Sequence, residues 1–326
     1  MRAIVMEEFG GPEVLRPAEV PVPEPGPDEV TIDVAYAGVN FADLKARSAG
    51  YQVPGLPFTP GLDLSGRVRA VGEGVTGLRP GQPVAAFTDG GGYAEVVAVP
   101  AATVFPLTDG ISLRTAATLP TVLPTAHALL HEVGRLAEGE TVLVQSAAGG
   151  VGTVLGQLAR QAGAGAVYGV VSGPAKAEVA LESGYDQVFI GDDFPERVRS
   201  ATGGRGVDLA LDPVGGETLR GSLASLARFG RLVSFGNASG DAPWQVGQAE
   251  LYPGTLTVSG FSVLALARSA PEVLREIAER AFRTVAEGKV VLPITAELPL
   301  DEAAEAHRLV ESRTTTGKLL LRAAGE

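Results

Sequence analysis

The pattern of apolar and polar positions divides the chain into two kinds of sequence. Up to residue 120, short alternating or apolar runs such as Val30–Tyr36 are separated by many Gly and Pro residues, which is typical of strands joined by irregular loops. Beyond that point, apolar runs alternate with helical stretches, as expected of parallel βαβ units. The predicted strands of this second region are Thr141–Val144, Ala166–Val171, Gln187–Ile190, Leu209–Leu211 and Arg231–Phe235.

The C-terminal part is predicted to combine a long helix with a final strand. Apolar residues recur at helical spacing from Glu272 to Glu287, and a strand-like run, Lys318–Leu321, lies near the end. Since 326 residues exceed the usual size of a single core, two domains are expected. The predicted boundaries are 1–120 for a mostly β domain, 121–260 for the βαβ domain and 261–326 for a return to the first domain.

Composition and charge narrow the range of partners. A net charge of -12 disfavours nucleic acids and anionic membranes, so a small molecule is the expected partner. No apolar stretch approaches the roughly 20 residues of a spanning helix, and the N-terminus lacks the apolar core of a secretory signal. These features predict a cytoplasmic protein. The chain has no cysteine, which excludes disulfides and thiolate-bound zinc or iron–sulfur centres.

Two of the three histidines have the spacing of metal ligands. His127 and His131 are four residues apart in a predicted helix and therefore lie one turn apart. No glutamate stands between them in an H-E-x-x-H arrangement, and both belong to a largely apolar run. Ordinary packing or surface positions are favoured over metal ligation, and no metal site is expected here or at His307.

A glycine-rich turn joins the first strand of the second region to a helix. The strand-like run Thr141–Gln145 continues into Ser146–Gly152 and then into apolar residues at helical spacing. Such glycines let the backbone approach a pyrophosphate, whose charge meets the helix start. Ala147 replaces the first glycine of the usual G-x-G-x-x-G, so the motif alone also fits an ordinary tight turn. The surrounding strand, helix and βα units favour a nucleotide site.

The residues after the second predicted strand indicate which cofactor is preferred. An acidic side chain about 20 residues beyond the glycines would bond the NAD ribose, but this position reads Ser172-Gly173-Pro174-Ala175-Lys176. A hydroxyl and an ammonium suit a 2′-phosphate, so NADPH is predicted rather than NADH. The alternative is that Lys176 is a solvated residue at a helix start.

Six motifs recur in order along the chain: Gly10–Leu15, Gly38–Asp43, Gly61–Gly66, Ala147–Gly152, Asp212–Gly215 and Ser234–Asn237. With these motifs the sequence resembles the zinc-independent quinone oxidoreductases of the medium-chain dehydrogenase/reductase superfamily, which include zeta-crystallin. The resemblance implies a GroES-like, mostly β catalytic domain formed by both chain ends. It also implies an inserted Rossmann domain with a doubly wound, six-stranded parallel sheet, substrate in the cleft and a homodimer.

Zinc-dependent relatives carry two features that this sequence lacks. One is a histidine–glutamate pair after the first glycine of the stretch that reads Gly61-Leu62-Asp63 here, where no histidine stands. The other is a four-cysteine lobe between the segments Gly81–Val84 and Gly92–Glu95, which are nearly adjacent in this chain. The resemblance therefore implies a metal-free protein.

The resemblance also assigns cofactor contacts. It places Asn40 and Thr125 near the nicotinamide and Gly150 and Val151 at the pyrophosphate. Ser172, Gly173 and Lys176 fall at the 2′-phosphate, and the remaining contacts along the groove are Val214, Gly236, Asn237, Phe261 and Ser262. Two positions depart from the family pattern, since Gly191 and Lys45 stand where relatives often have tyrosines.

Three functions are compatible with these residues. Reduction of a quinone by NADPH depends mainly on positioning, with Asn40 and Tyr51 as polar groups on the substrate side. Reduction of the double bond of an enone, alkenal or enoyl thioester also needs a proton, which Tyr51 or Lys45 could supply. The third possibility is a non-catalytic, structural or regulatory NADPH-binding protein. For Tyr51, packing under the loop Gln52–Gly55 is the alternative to an active-site role.

Overall fold

The computed structural model describes residues 1–323. In chain order, the strands are β1 (Arg2–Val5), β2 (Arg16–Glu19), β3 (Glu29–Val39), β4 (Asp63–Val71), β5 (Pro83–Phe87), β6 (Val96–Pro100), β7 (Val104–Pro106), β8 (Thr141–Gln145), β9 (Ala166–Val171), β10 (Gln187–Ile190), β11 (Val207–Asp212), β12 (Leu226–Ser234), β13 (Thr257–Gly260), β14 (Ile294–Pro299) and β15 (Lys318–Arg322).

The α-helices are α1 (Phe41–Ala49), α2 (Leu113–Ala116), α3 (Leu119–His127), α4 (Gly150–Gln161), α5 (Pro174–Glu182), α6 (Phe194–Ala201), α7 (Gly216–Ala224), α8 (Gln248–Leu251), α9 (Val263–Ser269), α10 (Pro271–Ala286) and α11 (Ala303–Glu311). The chain divides into two units. The first unit comprises Met1–Pro124 and the chain from Leu264 onward, and the second comprises Thr125–Val263.

The first unit is built on mixed, mainly antiparallel sheets. β1 and β2 form a small sheet, and seven strands form a larger one in the order β14-β15-β3-β4-β5-β7, with β6 also paired to β3. Only the β14–β15 pairing is parallel among these strands. Alternate residues Val30, Ile32 and Val34 of β3 enter one apolar core, as the period-two pattern predicts.

The chain returns to the first unit through α10, β14, α11 and β15. The helix predicted over Glu272–Glu287 is confirmed as α10, which buries an apolar stripe that includes Leu274, Ile277 and Phe282. β15 pairs antiparallel with β3 and parallel with β14, so the predicted strand-like run near the C-terminus lies inside the sheet.

The second unit is a parallel sheet with helices between its strands. Its six strands follow the order β10-β9-β8-β11-β12-β13, which is the order of a doubly wound dinucleotide-binding domain. All five predicted strands are present. The edge strand β13 was not predicted because its sequence, Thr-Val-Ser-Gly, carries too few apolar residues.

Two local predictions about this unit need correction. The strand predicted as Arg231–Phe235 is longer and ends earlier, because β12 starts at Leu226, crosses an irregular position at Phe229 (φ 66°) and stops at Ser234. The sequence predicted one helix containing His127 and His131. The structure has two segments of different geometry there, because α3 ends at His127 and a π-helix follows over Ala128–Val133. Within residues 1–323, no helix is both long and apolar enough to cross a membrane.

Candidate functional site

The glycine-rich turn after β8 has the geometry of a dinucleotide-binding loop. α4 starts at Gly150, directly after the turn, so the backbone N–H groups of its first turn have no partner within the helix. A Cβ atom at Gly152 would lie 2.3 Å from the Ser146 carbonyl oxygen and 2.6 Å from that of Ala147. Glycine is therefore required at position 152 for the helix to pack against the turn.

Ala147 is accommodated by a glycine on the neighbouring strand. The Ala147 side chain is fully buried, and a Cβ atom at Gly169 of β9 would lie 2.7 Å from the Ala147 Cβ. Gly169 on β9 thus leaves room for the Ala147 side chain in the turn that follows β8. The imperfect sequence motif still forms the close turn that a pyrophosphate needs.

The residues predicted to bind a 2′-phosphate share one turn at the end of β9. Ser172 follows the strand and is exposed, and Gly173 is the extended residue that precedes α5. Gly173 has no atom within 4 Å of the position that a Cβ would take. Lys176 lies in the first turn of α5, and its backbone N–H donates to the Gly173 carbonyl at 3.2 Å. The structure therefore brings these three residues together.

The loops after β11 and β12 bind each other through their backbones. Ala238 N donates to Pro213 O at 3.0 Å, and Ser239 N donates to Val214 O at 2.8 Å. A Cβ atom at Gly236 would lie 2.7 Å from Pro213 O, so only a glycine allows this approach. Phe261 follows β13 and donates its backbone N–H to Ser234 O at 2.9 Å. The predicted contacts Val214, Gly236, Asn237, Phe261 and Ser262 therefore follow three successive strands of the sheet.

A buried carboxylate fixes the first of these loops. Asp212 Oδ1 accepts from the backbone N–H groups of Val214 at 2.7 Å and Gly215 at 3.0 Å. Its Oδ2 accepts from the Ser222 hydroxyl at 2.8 Å, and that hydroxyl accepts from Gln145 Nε2 at 3.1 Å. Burial raises the pKa of Asp212. The motif Asp212–Gly215 contains this carboxylate, but its partners Ser222 and Gln145 lie far away in the sequence, so the motif alone does not predict the network.

In the first unit, a buried lysine and a buried aspartate surround the Asn40 side chain. Lys318 Nζ donates to Asn40 Oδ1 at 2.6 Å and to Asp63 Oδ2 at 2.9 Å. Asn40 Nδ2 donates to the same Asp63 Oδ2 at 2.9 Å. Since an ammonium only donates and a carboxylate only accepts, these partners determine which end of the Asn40 amide is oxygen. The side chains of Lys318 and Asp63 are 4% and 0% exposed.

Two further residues complete this group, which we call the Asn40 cluster: Asn40, Asp63, Lys318, Thr121 and Asp43. Thr121 donates its hydroxyl to Asp63 Oδ1 through a short hydrogen bond. Asp43, in the first turn of α1, accepts from the Asn40 backbone N–H at 2.8 Å. Asn40 was predicted as a site residue, whereas the roles of the other four were not foreseen.

Asp43 belongs to a second set of buried titratable groups. Tyr93 Oη donates to Asp43 Oδ2 at 3.3 Å and lies 3.2 Å from His307 Nε2. Tyr93 therefore links a buried carboxyl group and a buried imidazole. Burial raises the pKa of Asp43 to about 7, and the charge of Asp63 adds to this rise. Burial lowers the pKa of His307 to about 3, with a smaller effect from the positive charge of Arg47.

The structure places Tyr51 and Lys45 at or near the surface of the first unit. Tyr51 is 43% exposed and lines a small depression together with Asp43, Phe58 and Asp89. The half-buried Lys45 has its Nζ 5.7 Å from the centroid of the Phe41 ring. The exposed fraction of Tyr51 shows that its side chain is not fully packed under the following loop.

The remaining predicted contact, Thr125, and the closely spaced His127 and His131 lie on or next to α3. The Thr125 Oγ1 atom is buried and has no hydrogen-bond partner within residues 1–323. The His127 and His131 rings pack against each other with centroids 4.5 Å apart. No group of three or more His, Asp or Glu residues that could hold a metal ion occurs in the described part of the chain.

Two family models match separate parts of the chain. Residues 26–109 match the family model described as an alcohol dehydrogenase GroES-like domain, and residues 150–279 match that described as a zinc-binding dehydrogenase. A quinone oxidoreductase of Pseudomonas aeruginosa is 35% identical over 98% of this chain and 99% of its own length.

Solved structures extend the similarity to the whole fold. A mycobacterial protein in complex with NADPH has a TM-score of 0.93 at 36% identity and covers 99% of this chain and 100% of its own. The Escherichia coli quinone oxidoreductase in complex with NADPH has a TM-score of 0.92 at 33% identity, with 99% and 100% coverage.

Fold, loop and similarity together define an oxidoreductase of the medium-chain dehydrogenase/reductase superfamily. Within that superfamily, the chain belongs to the zeta-crystallin-like family of quinone oxidoreductases. The family predicted from the six motifs is thereby confirmed, and so is the predicted fold class of a GroES-like domain with a Rossmann domain.

Proposed function

We propose that the chain reduces a quinone with NADPH and that the reaction needs no metal ion. The observation that carries the proposal is the β8–α4 turn, where Gly152 lets the start of α4 pack against the carbonyl groups of Ser146 and Ala147 and the helix N-terminus suits a phosphate. The NADPH in the mycobacterial and Escherichia coli structures supports the same cofactor for this chain. The quinone oxidoreductase relatives support a quinone as the acceptor.

The residues of the second unit fit this cofactor. The N–H groups at the start of α4 and the positive end of its dipole suit a pyrophosphate. Ser172 and Lys176 supply a hydroxyl and an ammonium, with no carboxylate in the same turn, which suits a 2′-phosphate. The buried Thr125 hydroxyl has no partner within residues 1–323, so a polar ligand group would satisfy it.

The chemistry of quinone reduction decides which steps the cofactor performs and which the protein performs. Bound NADPH supplies the hydride, and conversion of a quinone to a hydroquinone takes up that hydride and one proton. Because the product is aromatic and water can supply the proton, the protein's main task is to hold the acceptor in place. We assign this task to Asn40 and Tyr51, with Lys45 as a nearby cation.

The Asn40 cluster is unsuited to zinc. The chain has no cysteine, and Leu62 occupies the position where the zinc-dependent pattern has its histidine. The Asp63 carboxylate, which follows Leu62, is already paired with the Lys318 ammonium at 2.9 Å. A divalent ion among these oxygens would be repelled by that ammonium. The chemistry of the donor set therefore supports a reaction without zinc.

Steady-state oxidation of NADPH by a simple benzoquinone and by cyclohexenone tests the proposal. We expect faster turnover with the quinone, a preference for NADPH over NADH and no loss of rate in the presence of a chelator. Turnover with the enone alone would favour double-bond reduction instead. Binding of NADPH without turnover of either acceptor would indicate a non-catalytic protein.

A further inference from the structure

We propose that Lys318 is the positioning residue of the acceptor site: its buried ammonium, paired with Asp63, fixes the orientation of the Asn40 side chain. This inference rests on the proposed function, because it assigns Asn40 to the acceptor. The proposed function names the cofactor and the acceptor, and this inference adds the residue that holds Asn40 in place.

The Lys318 ammonium is buried. The Lys318 side chain is 4% exposed and starts β15 within the larger sheet of the first unit. A lysine is almost never fully buried unless it is paired, because removing an ammonium from water is unfavourable. An uncharged residue such as the leucines that follow it would fill a sheet position more simply. The charge therefore points to a role that an apolar side chain could not perform.

Each hydrogen bond around the Asn40 amide has a fixed direction. Asn40 Oδ1 accepts from Lys318, and Asn40 Nδ2 donates to Asp63, so an amide rotated by half a turn would face both partners with the wrong group. Lys318 and Asp63 are themselves joined at 2.9 Å. These three side chains form a closed ring of hydrogen bonds that permits one amide orientation only.

Asn40 also links this ring of hydrogen bonds to the start of α1. It stands at the N-cap of the helix and forms a capping box with Asp43, whose carboxylate accepts from the Asn40 backbone N–H at 2.8 Å. The backbone of Asn40 is therefore fixed by the helix start, and its amide is oriented by Lys318 and Asp63.

Turnover in a double-mutant cycle tests this inference. Lys318→Met removes the charge at similar length, and Asn40→Ala removes the amide. We expect each change to lower kcat on the order of 10²-fold, as a small misplacement of a reactant does. If Lys318 acts through Asn40, the double variant should be no slower than Asn40→Ala alone. Additive losses, or a Lys318→Met variant with wild-type kcat, would overturn the proposal.

A second variant separates positioning from folding. Lys318→Met leaves the Asp63 carboxylate buried without its partner and is expected to weaken folding. Asp63→Asn combined with Lys318→Met removes both charges, so we expect its thermal stability to recover towards wild type while its turnover stays low. Recovery of turnover together with stability would show that the pair has only a structural role.

NADPH binding provides a measurement that does not depend on turnover. Fluorescence titration should give an NADPH affinity within a few-fold of wild type for Lys318→Met, because the contacts assigned to the pyrophosphate and the 2′-phosphate lie in the second unit and are not changed. Lys289→Met, at an exposed lysine paired with Glu287, is the matched control and should leave both affinity and turnover unchanged.

The acceptor in these assays is whichever of benzoquinone and cyclohexenone the wild type reduces. If the wild type reduces neither acceptor, the proposed function is wrong. If the wild type is active but the Lys318 variants keep its turnover, only this inference is wrong.

Discussion

At the scale of single residues, the cofactor preference depends most on Lys176. We expect the wild type to prefer NADPH over NADH and Lys176→Ala to remove most of that preference. A hydrogen bond to a charged group contributes about 1.5 to 3 kcal/mol, so NADPH affinity should fall roughly ten- to a hundredfold while NADH affinity stays the same. Fluorescence titration with both cofactors measures this. Equal affinity of the wild type for NADH and NADPH would contradict the assignment of Ser172, Gly173 and Lys176 to the 2′-phosphate.

Tyr51 distinguishes quinone reduction from double-bond reduction. Tyr51→Phe removes only the phenol oxygen of a side chain that is 43% exposed, so packing changes little. With benzoquinone we expect a change in kcat of only a few-fold, because water can protonate the product oxygen. If Tyr51 is the acid for an activated alkene, the same change should lower turnover of cyclohexenone by about 10²- to 10⁴-fold.

The other outcomes of the Tyr51→Phe assay are equally informative. A large loss on both acceptors would mean that Tyr51 orients the acceptor. No loss on either would return Tyr51 to a packing role and make Lys45, which lies near Phe41, the next proton donor to test.

At the scale of elements, the contact between α4 and its preceding turn should be essential for cofactor binding. In Gly152→Ala, the added methyl group would meet two carbonyl oxygens at 2.3 and 2.6 Å, so helix and turn must separate. Overpacking of this kind destabilises by about 1 to 3 kcal/mol. We expect at least a tenfold loss of NADPH affinity in the same titration.

Gly55→Ala is a suitable control for that experiment. No atom lies within 4 Å of the position that its Cβ would take. Its NADPH affinity should equal that of the wild type. A Gly152→Ala variant that also binds normally would show that the turn tolerates a shift and that its tight geometry is not needed.

Sequence patterns were most informative about these elements. Periodicity located five of the six strands in the second unit because buried parallel strands are continuous apolar runs. β13 was missed because an edge strand can be short and polar. The π-helix after His127 was missed because it keeps the apolar content of a helix and differs only in its backbone hydrogen bonds.

The candidate site was less predictable than the elements. Motif position identified Ser172, Gly173 and Lys176, which do share one turn. The Asn40 cluster joins residues from four separate segments, and only the strand pairing reveals that Lys318 reaches Asp63. The isolated lysine at the start of a leucine run was the sole sequence signal, since a buried lysine needs an anionic partner.

At the scale of the whole molecule, buried titratable groups should shape the dependence of stability on pH. The pKa of His307 is lowered to about 3, so the stability due to its neutral form is present above its unfolded pKa of about 6.5 and is lost as pH falls towards 3. The pKa of Asp43 is raised to about 7. The stability due to its protonated form is therefore fully present below a pH of about 4 and is lost as pH rises through 7. Between about 4 and 6.5 the two effects oppose each other.

His307→Gln should reveal the contribution of Asp43. Without the histidine, we expect the free energy of unfolding to decrease as pH rises from about 5 to 7, whereas the two opposing groups flatten the wild-type curve. One proton corresponds to a slope of about 1.4 kcal/mol per pH unit, so the two curves should diverge clearly. Urea denaturation at several pH values measures this. Parallel curves for variant and wild type would mean that His307 titrates normally in the folded protein.

The close packing of Ala147 against Gly169 also restricts how the cofactor loop could have changed during evolution. Gly169 cannot gain a methyl group while Ala147 keeps its own, because the two carbon atoms would lie 2.7 Å apart. Ala147→Gly, in contrast, removes atoms and creates no clash. Any mutational path that moves the methyl group from position 147 to position 169 must therefore pass first through the variant with glycine at both positions. The Tyr185 ring, 3.0 Å from the new Cβ position, must then also shift.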